Sequence, residues 1–385
     1  MKRLLSVLLC TVVIFSWQPQ IFAASSNKNL NLKSEAAVLL DSETNAVLYS
    51  KNADKKMYPA SLTKIATAIY AIEKGNLDSI ATISGNAVRQ DGTRVYLVEG
   101  EKLPLKQLVQ GMLINSGNDA AVAVAEQMDG SVSQFSEHIN DYLRHTIGVQ
   151  HTHFSNPSGL FAKNHYTTAM DMALITNYAM KNPIFMEIFG TKKIHWKAKA
   201  WDTNILTHHK MLKGEFPYRG ITGGKTGYTT ESKQTLSTSA DNGKLKLTAV
   251  VLKSNQQRDK YDDTAKLFNY GFKSYQHTIV KQDEIFKKDK REFQPSSDIL
   301  ITEDVKGTVK EVSESGVLTI KNRQGITLQA VQLNENKPQP APSTNKKVSE
   351  EKVQPQTAGV NIVIGLLVLL LVVFGFSTAK KIIGK

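Results

Sequence analysis

Cysteine is nearly absent. The 385-residue chain holds a single one, Cys10, inside an N-terminal apolar run. Residues 1–23 read as a secretory signal: Lys2 and Arg3, the apolar stretch Leu4 to Trp17, then a cut after Ala23. The mature chain would carry no thiol, which excludes disulfides and thiolate chemistry from it. Cys10 comes too early in the run, without small residues before it, to read as a lipid-acceptor cysteine. The marks of a nucleic-acid module are also missing: no finger spacing, no aromatic RNA-binding signature and no dense Lys/Arg run. The formal net charge of +13 therefore points to solubility or to anionic surroundings, and no nucleic-acid partner is expected. His151-Thr152-His153 and His208-His209 lack a third ligand at zinc spacing, so neither a metal nor a cofactor is expected.

What is present gives the chain its layout. Residues 25–275 form one large domain and residues 276–335 a small one. Residues 336–357 then read as a linker, because Pro338, Pro340, Pro342 and Pro355 deny regular structure. Val360 to Phe376 is apolar or Gly apart from Asn361. Residues 358–378 thus read as a transmembrane helix, near the lower end of the roughly 17–25 residues one needs. Lys380, Lys381 and Lys385 place the tail, residues 379–385, in the cytoplasm.

Within the large domain, residues 36–40 and 46–49 read as a hairpin around Ser42-Glu43-Thr44-Asn45. A helix is expected from Ala60 to Lys74, with Ile65, Ala68, Ile69 and Ile72 at helical spacing. Further helical pattern covers 104–128, broken at Ser116-Gly117-Asn118, then 133–147 and 168–182. Thr235 to Ala240 and Lys244 to Leu252 read as strands around Asp241-Asn242-Gly243, and Tyr261 to Tyr275 as a closing helix. The fold class is α/β, an antiparallel sheet with a helical insertion. The small domain reads as all-β, with strands at Val305 to Val309, Val317 to Lys321 and Ile326 to Val331.

Ser61 and Lys64 lie three apart at a helix start, on one face and within mutual reach. A serine hydroxyl needs a base to become a nucleophile, and a lysine serves only with a lowered pKa. Alone, that pair reads as a solvated helix start. Ser116-Gly117-Asn118 and then Lys225-Thr226-Gly227 follow it in order. The three together match the Ser-x-x-Lys, Ser-Asp-Asn and Lys-Thr-Gly set of penicillin-binding proteins and class A β-lactamases, with Gly at the middle of the second element.

Over about residues 34–275 the chain resembles the low-molecular-mass penicillin-binding proteins that are D-alanyl-D-alanine carboxypeptidases. The resemblance runs through Tyr58 to Lys64, Ser116 to Ala121, Asn156 to Leu160, His165 to Ala169, Gly224 to Thr229 and Arg258 to Asp263. One departure is local: Glu231 to Leu236 replaces a Gly-containing run that usually leads to Cys-Leu. The resemblance implies a β-lactamase/transpeptidase-like fold, a small β domain and a membrane anchor. It also implies roles. Ser61 attacks the carbonyl of the penultimate D-alanine and Lys64 takes its proton. Ser116 relays a proton to the leaving D-alanine, and Asn118 holds the peptide backbone. Lys225, Thr226 and Gly227 form the strand that grips the terminal carboxylate. The backbone N–H groups of Ser61 and Tyr228 form the oxyanion hole. Gly223, Gly224 and Gly227 would let that strand approach the substrate closely. Asp202 and Asp262-Asp263 read as caps or surface charges.

The implied partners are peptidoglycan stem peptides, β-lactam antibiotics as inhibitors, and the membrane. The implied place is the cell membrane, single-pass, with the enzyme outside. Rivals share the site: endopeptidase, transpeptidase, β-lactamase, or a scaffold without catalysis. Between Glu137 and Glu187 there is no glutamate of the kind that activates the deacylating water in class A β-lactamases. Gln354 to Ala358 with the tail behind it resembles a sortase signal, whose cut after Thr357 would put the protein on the wall instead.

Overall fold

A computed structural model describes residues 29–336. The expected signal (1–23), the expected membrane span (358–378), the tail (379–385) and all of the linker beyond Asn336 lie outside the described residues. Among the described residues, no helix is long and apolar enough to cross a membrane.

Five antiparallel strands make the central sheet: β1 (Ala36–Asp41), β2 (Val47–Lys51), β5 (Ile221–Thr229), β6 (Lys233–Asp241) and β7 (Lys246–Ser254). Their spatial order is β2-β1-β7-β6-β5. All six residues of β1 are buried, so both its faces are covered and it reads as a continuous apolar run. Alternation decides where each side chain goes. Ala36, Val38 and Leu40 enter one core together with Val250 and Leu252 of β7. Ala37 and Leu39 enter a second core with Leu247, Ala249 and Val251. Burying each such leucine stabilises by about 1.5–3 kcal/mol.

The first core is closed by helices α1 (Thr63–Lys74), α2 (Leu105–Ile114), α3 (Asn118–Asp129) and α4 (Ala169–Ala179). The second is closed by α5 (Gln257–Ser274), through Tyr261, Leu267 and Phe268. α5 begins four residues before the expected Tyr261. An outlying hairpin, β3 (Lys193–Lys197) and β4 (Asp202–Leu206), packs on α2 through Trp196 and Ile205. Only one residue in two faces inward there, which is why its lysine-rich sequence gave no strand signal.

The small β domain follows α5 and has its own core of Val280, Phe293, Ile301, Leu318, Ile320 and Leu333. The expected strand Val305 to Val309 is wrong in register. Strands Ile299–Asp304 and Thr308–Val312 flank a turn at 305–307, where Gly307 has φ +119°. Val305 and Val309 are exposed, so their apolar character marked no core position. The domain meets the sheet at its β2–β1 edge. The Tyr275 hydroxyl donates to Leu48 O at 3.0 Å, Thr44 and Thr302 hydroxyls lie 2.6 Å apart, and His277 Nε2 sits 2.8 Å from buried Asp41.

Candidate active site

The first motif sits on a strained turn. Ala60 has φ +49°, a left-handed value costly for a residue with a Cβ, and Ser61 lies in the short 3-10 turn Ala60–Leu62 before α1. Side chains hold that turn. Thr235 Oγ1 donates to Pro59 O at 3.0 Å, and Thr63 Oγ1 donates to Ala60 O at 2.9 Å. Thr63 Oγ1 in turn accepts from His165 Nε2 at 2.8 Å. The His165 tautomer follows from its other nitrogen, which accepts from the Ser155 N–H at 3.1 Å. Burial drives that imidazole's pKa down to about 3, so it stays neutral. Gly159, with φ +84°, lies against the same turn: a Cβ there would stand 1.9 Å from Ala60 O.

Lys64 is fully buried. Its Nζ lies 3.0 Å from Ser61 Oγ, 2.7 Å from Asn118 Oδ1 and 2.7 Å from Ser158 O. Burial lowers its pKa well below the usual lysine value; the Lys225 charge lowers it further, and Asp119 opposes. An amine whose charge is disfavoured, at hydrogen-bond distance from a hydroxyl, has the geometry a general base needs.

Ser116 and Asn118 join α2 to α3, where Ser116 takes φ +64°. Ser116 Oγ accepts from Lys225 Nζ at 2.9 Å. Asn118 is engaged at both ends, its Nδ2 donating to Asp91 O at 2.6 Å. Asp119, just inside α3, accepts from the N–H groups of Val95 and Leu97 and so fixes the loop beside the motif.

Lys225 lies in the middle of β5. It is buried, and burial first, then the Lys260 charge, lower its pKa to about 7. Thr226 is half-buried, Gly227 buried and Tyr228 exposed. The glycines of this strand serve the protein rather than open space for substrate. A Cβ on Gly223 would meet the Phe189 ring at 2.4 Å, one on Gly224 the His209 ring at 2.3 Å, and one on Gly227 Thr235 Oγ1 at 2.3 Å.

Three buried lysines thus converge: Lys64, Lys225 and Lys260. Lys260 donates to Gln234 Oε1 at 2.7 Å, and its pKa falls to about 7 through burial and then Lys210. Sequence reasoning passed over Lys260, His165, Asp119 and Thr235, although all four stand in stretches that it quoted for other reasons. It also misjudged Asp263, which is fully buried and accepts from Ser34 N–H and Oγ at 2.7 Å each. Its neighbour Asp262 gave no hint of that, since on a helix adjacent positions face different sides. The paired histidines are occupied in the fold. His209 Nε2 bonds Thr238 Oγ1 at 2.8 Å, and His153 Nδ1 lies 2.7 Å from Asn164 O.

Chemically, the arrangement offers a serine beside a buried amine whose charge is disfavoured, and a second hydroxyl bonded to a second buried amine. Such a pairing is of the kind that acyl transfer to serine requires. A family profile described as D-alanyl-D-alanine carboxypeptidase matches residues 22–256. The chain is 33% identical over 302 residues to D-alanyl-D-alanine carboxypeptidase DacF of Bacillus subtilis, covering 75% of this chain and 76% of that one. The crystal structure of DacD from Francisella tularensis superposes with a TM-score of 0.67 at 25% identity, over 81% of this chain and 94% of that one. A Streptomyces DD-transpeptidase structure gives 0.58 at 28% identity, over 63% and 98%. By sequence and by structure, the chain belongs to the D-alanyl-D-alanine carboxypeptidase family.

Proposed function

We propose that the protein is a serine-type D-Ala-D-Ala carboxypeptidase that removes the terminal D-alanine from peptidoglycan pentapeptides through an acyl-enzyme on Ser61. The observation that carries this is Ser61 Oγ at 3.0 Å from a buried Lys64 whose charge is disfavoured. β5 is an edge strand, so half its backbone groups are free to pair with an extended peptide. The terminal carboxylate meets Lys225 and Thr226, and Asn118 holds the peptide backbone. Ser61 Oγ attacks the penultimate carbonyl carbon as its proton passes to Lys64. The oxyanion lies between the N–H groups of Ser61 and Tyr228, donors fixed before the charge develops. The C–N bond then breaks, the D-alanine nitrogen takes a proton through Ser116, and water hydrolyses the ester. A β-lactam, whose strained amide opens on the same serine, inhibits.

Mass analysis of products from a pentapeptide tests the reading. Free D-alanine plus a tetrapeptide is expected; a cross-linked dimer made from an added amine acceptor, with no tetrapeptide, would replace it by the transpeptidase reading. The likeness to the Streptomyces DD-transpeptidase is the observation behind that second reading.

Lys64 meets the 138–186 segment through a backbone carbonyl, Ser158 O, not a carboxylate. The penicilloyl-enzyme is therefore expected to last many minutes. Time-resolved intact mass checks it; loss of the adduct within seconds would make the protein a β-lactamase.

The pH profile follows from the two lysines. Ser61 needs Lys64 neutral, and the carboxylate needs Lys225 charged. kcat/KM reports the free enzyme, so it should fall as pH rises through about 7, where Lys225 loses its proton. The acid limb belongs to Lys64. Stopped-flow acylation by a carboxylate-bearing β-lactam measures this, and a rate still climbing through the alkaline range would show that Lys225 is not the group required.

The remaining roles are proposed on sequence. Residues 1–23 direct export, 358–378 hold the protein on the membrane, and the β domain spaces the enzyme above it. Detergent extraction supports the anchor; release by wall-digesting enzymes alone would favour cutting after Thr357.

A further inference from the structure

We propose that the hairpin β3–β4 is a docking strip for an anionic, phosphodiester-linked wall polymer. The proposal rests on the reading that the enzyme works on the wall. In β3, alternation puts Trp196 into the core, where its ring lies on Gly111, and turns Lys193, His195 and Lys197 outward. Lys192 and Lys199 flank them, also exposed, and between Ile188 and Trp201 the sequence has no acid. Opposite on β4, outward Asp202 lies against His195 at 3.1 Å. The nearby Glu101 is buried, and its carboxylate is occupied by the backbone N–H groups of Lys199 and Val98. Gln107 of α2 ties the strip to the helix, donating to Lys197 O at 2.8 Å. At the strand rise of about 3.3 Å per residue, Lys193 and Lys197 stand about 13 Å apart, a row rather than a point.

The tip of the strip carries aromatic planes. Tyr96 is exposed and has φ +60°, a strained value for a tyrosine. Its flanking N–H groups, on Val95 and Leu97, both bond Asp119, and that clamp turns its ring outward. Trp201 meets it edge-on at 4.9 Å and the Arg94 guanidinium lies 5.4 Å from its centre. Cations beside aromatic faces suit a chain of phosphates separated by sugar or polyol units.

The hairpin and the β domain lie at opposite edges of the sheet. The β domain packs at the β2 edge of the sheet. The hairpin lies beyond the other edge, β5: its preceding Gly190 packs so closely on Thr222 that a Cβ would come within 2.6 Å of Thr222 O. Four strand spacings of about 4.8 Å separate those edges.

The test compares two triple variants of the full chain in neutral detergent: Lys193→Glu, Lys197→Glu, Lys199→Glu, and a β-domain control, Lys288→Glu, Lys290→Glu, Lys306→Glu. The probe is purified poly(glycerol phosphate), with anionic lipid vesicles in parallel. The hairpin triple should bind at least about tenfold more weakly than wild type, with a flatter salt dependence, and the control within about twofold. Penicillin acylation checks folding; should the hairpin triple lose it, the Lys→Gln triple is used instead. Equal weakening in both triples, undiminished binding by the hairpin triple, or binding to vesicles alone would overturn the proposal. D-alanine release is read separately, so loss of the carboxypeptidase reading would leave a distinct result.

Discussion

Ser61→Ala is expected to abolish the penicillin adduct and to lower D-alanine release by on the order of 10⁶-fold. The reason is positional. Ser61 Oγ is 3.0 Å from Lys64 Nζ, and the strained turn that presents it is fixed by hydrogen bonds to Pro59 O and Ala60 O that do not involve the Ser61 side chain. The alanine variant should thus melt close to wild type while losing chemistry entirely. Lys64→Met leaves the nucleophile but removes its base, and acylation should slow by on the order of 10²–10⁴-fold. Intact mass after incubation with labelled penicillin measures both. A persistent adduct in Ser61→Ala would place the nucleophile elsewhere and undo the mechanism.

Gly159→Ala should also produce a large loss, although Gly159 lies outside the three motifs. Its new Cβ would stand 1.9 Å from Ala60 O and 2.9 Å from Thr63 Oγ1. The first contact is with backbone, which cannot swing aside as a side-chain tip does. Either Gly159 retreats, taking Ser158 O away from Lys64, or the Ala60 turn moves and Ser61 with it. A shift of about 1 Å in a reacting group costs on the order of 10²-fold. Strain at φ +84° adds a stability loss of about 1 kcal/mol or more. Gly214→Ala separates the two effects, since Gly214 has φ +92° but nothing near its would-be Cβ. Gly214→Ala should lower the melting temperature and leave acylation unchanged. Wild-type acylation by Gly159→Ala would show that the turn is not held from that side.

The same site explains why its lysines are tolerated. Lys225 pulled to about 7 means that the folded protein disfavours the ammonium there. Each unit of lowering corresponds to about 1.4 kcal/mol of differential interaction. On the proposed mechanism, an anionic substrate end would relieve that cost on binding and so select for a free carboxylate. A peptide blocked at its C-terminus brings no such compensation.

Local pattern carried much of the outcome. Helical spacing after Pro59, the break at Ser116 to Asn118 and the Asp241-Asn242-Gly243 turn all marked elements that the structure contains. Ser-x-x-Lys put both side chains within one turn of each other, because residues three apart on a helix are neighbours. Tertiary structure decided the rest. Only folding brings Lys225 to Ser116, 109 positions apart, and Thr235 to Pro59, 176 apart. Only burial turns Lys64, Lys225 and Lys260 from surface cations into amines of lowered pKa, and no residue type declares its own burial. The glycines of β5 looked in sequence like room for a substrate; the rings of Phe189 and His209 fill that room. The sequence alone determined which side chains could react and in what order along the chain. The fold determined their distances and protonation, because both depend on neighbours contributed by distant segments.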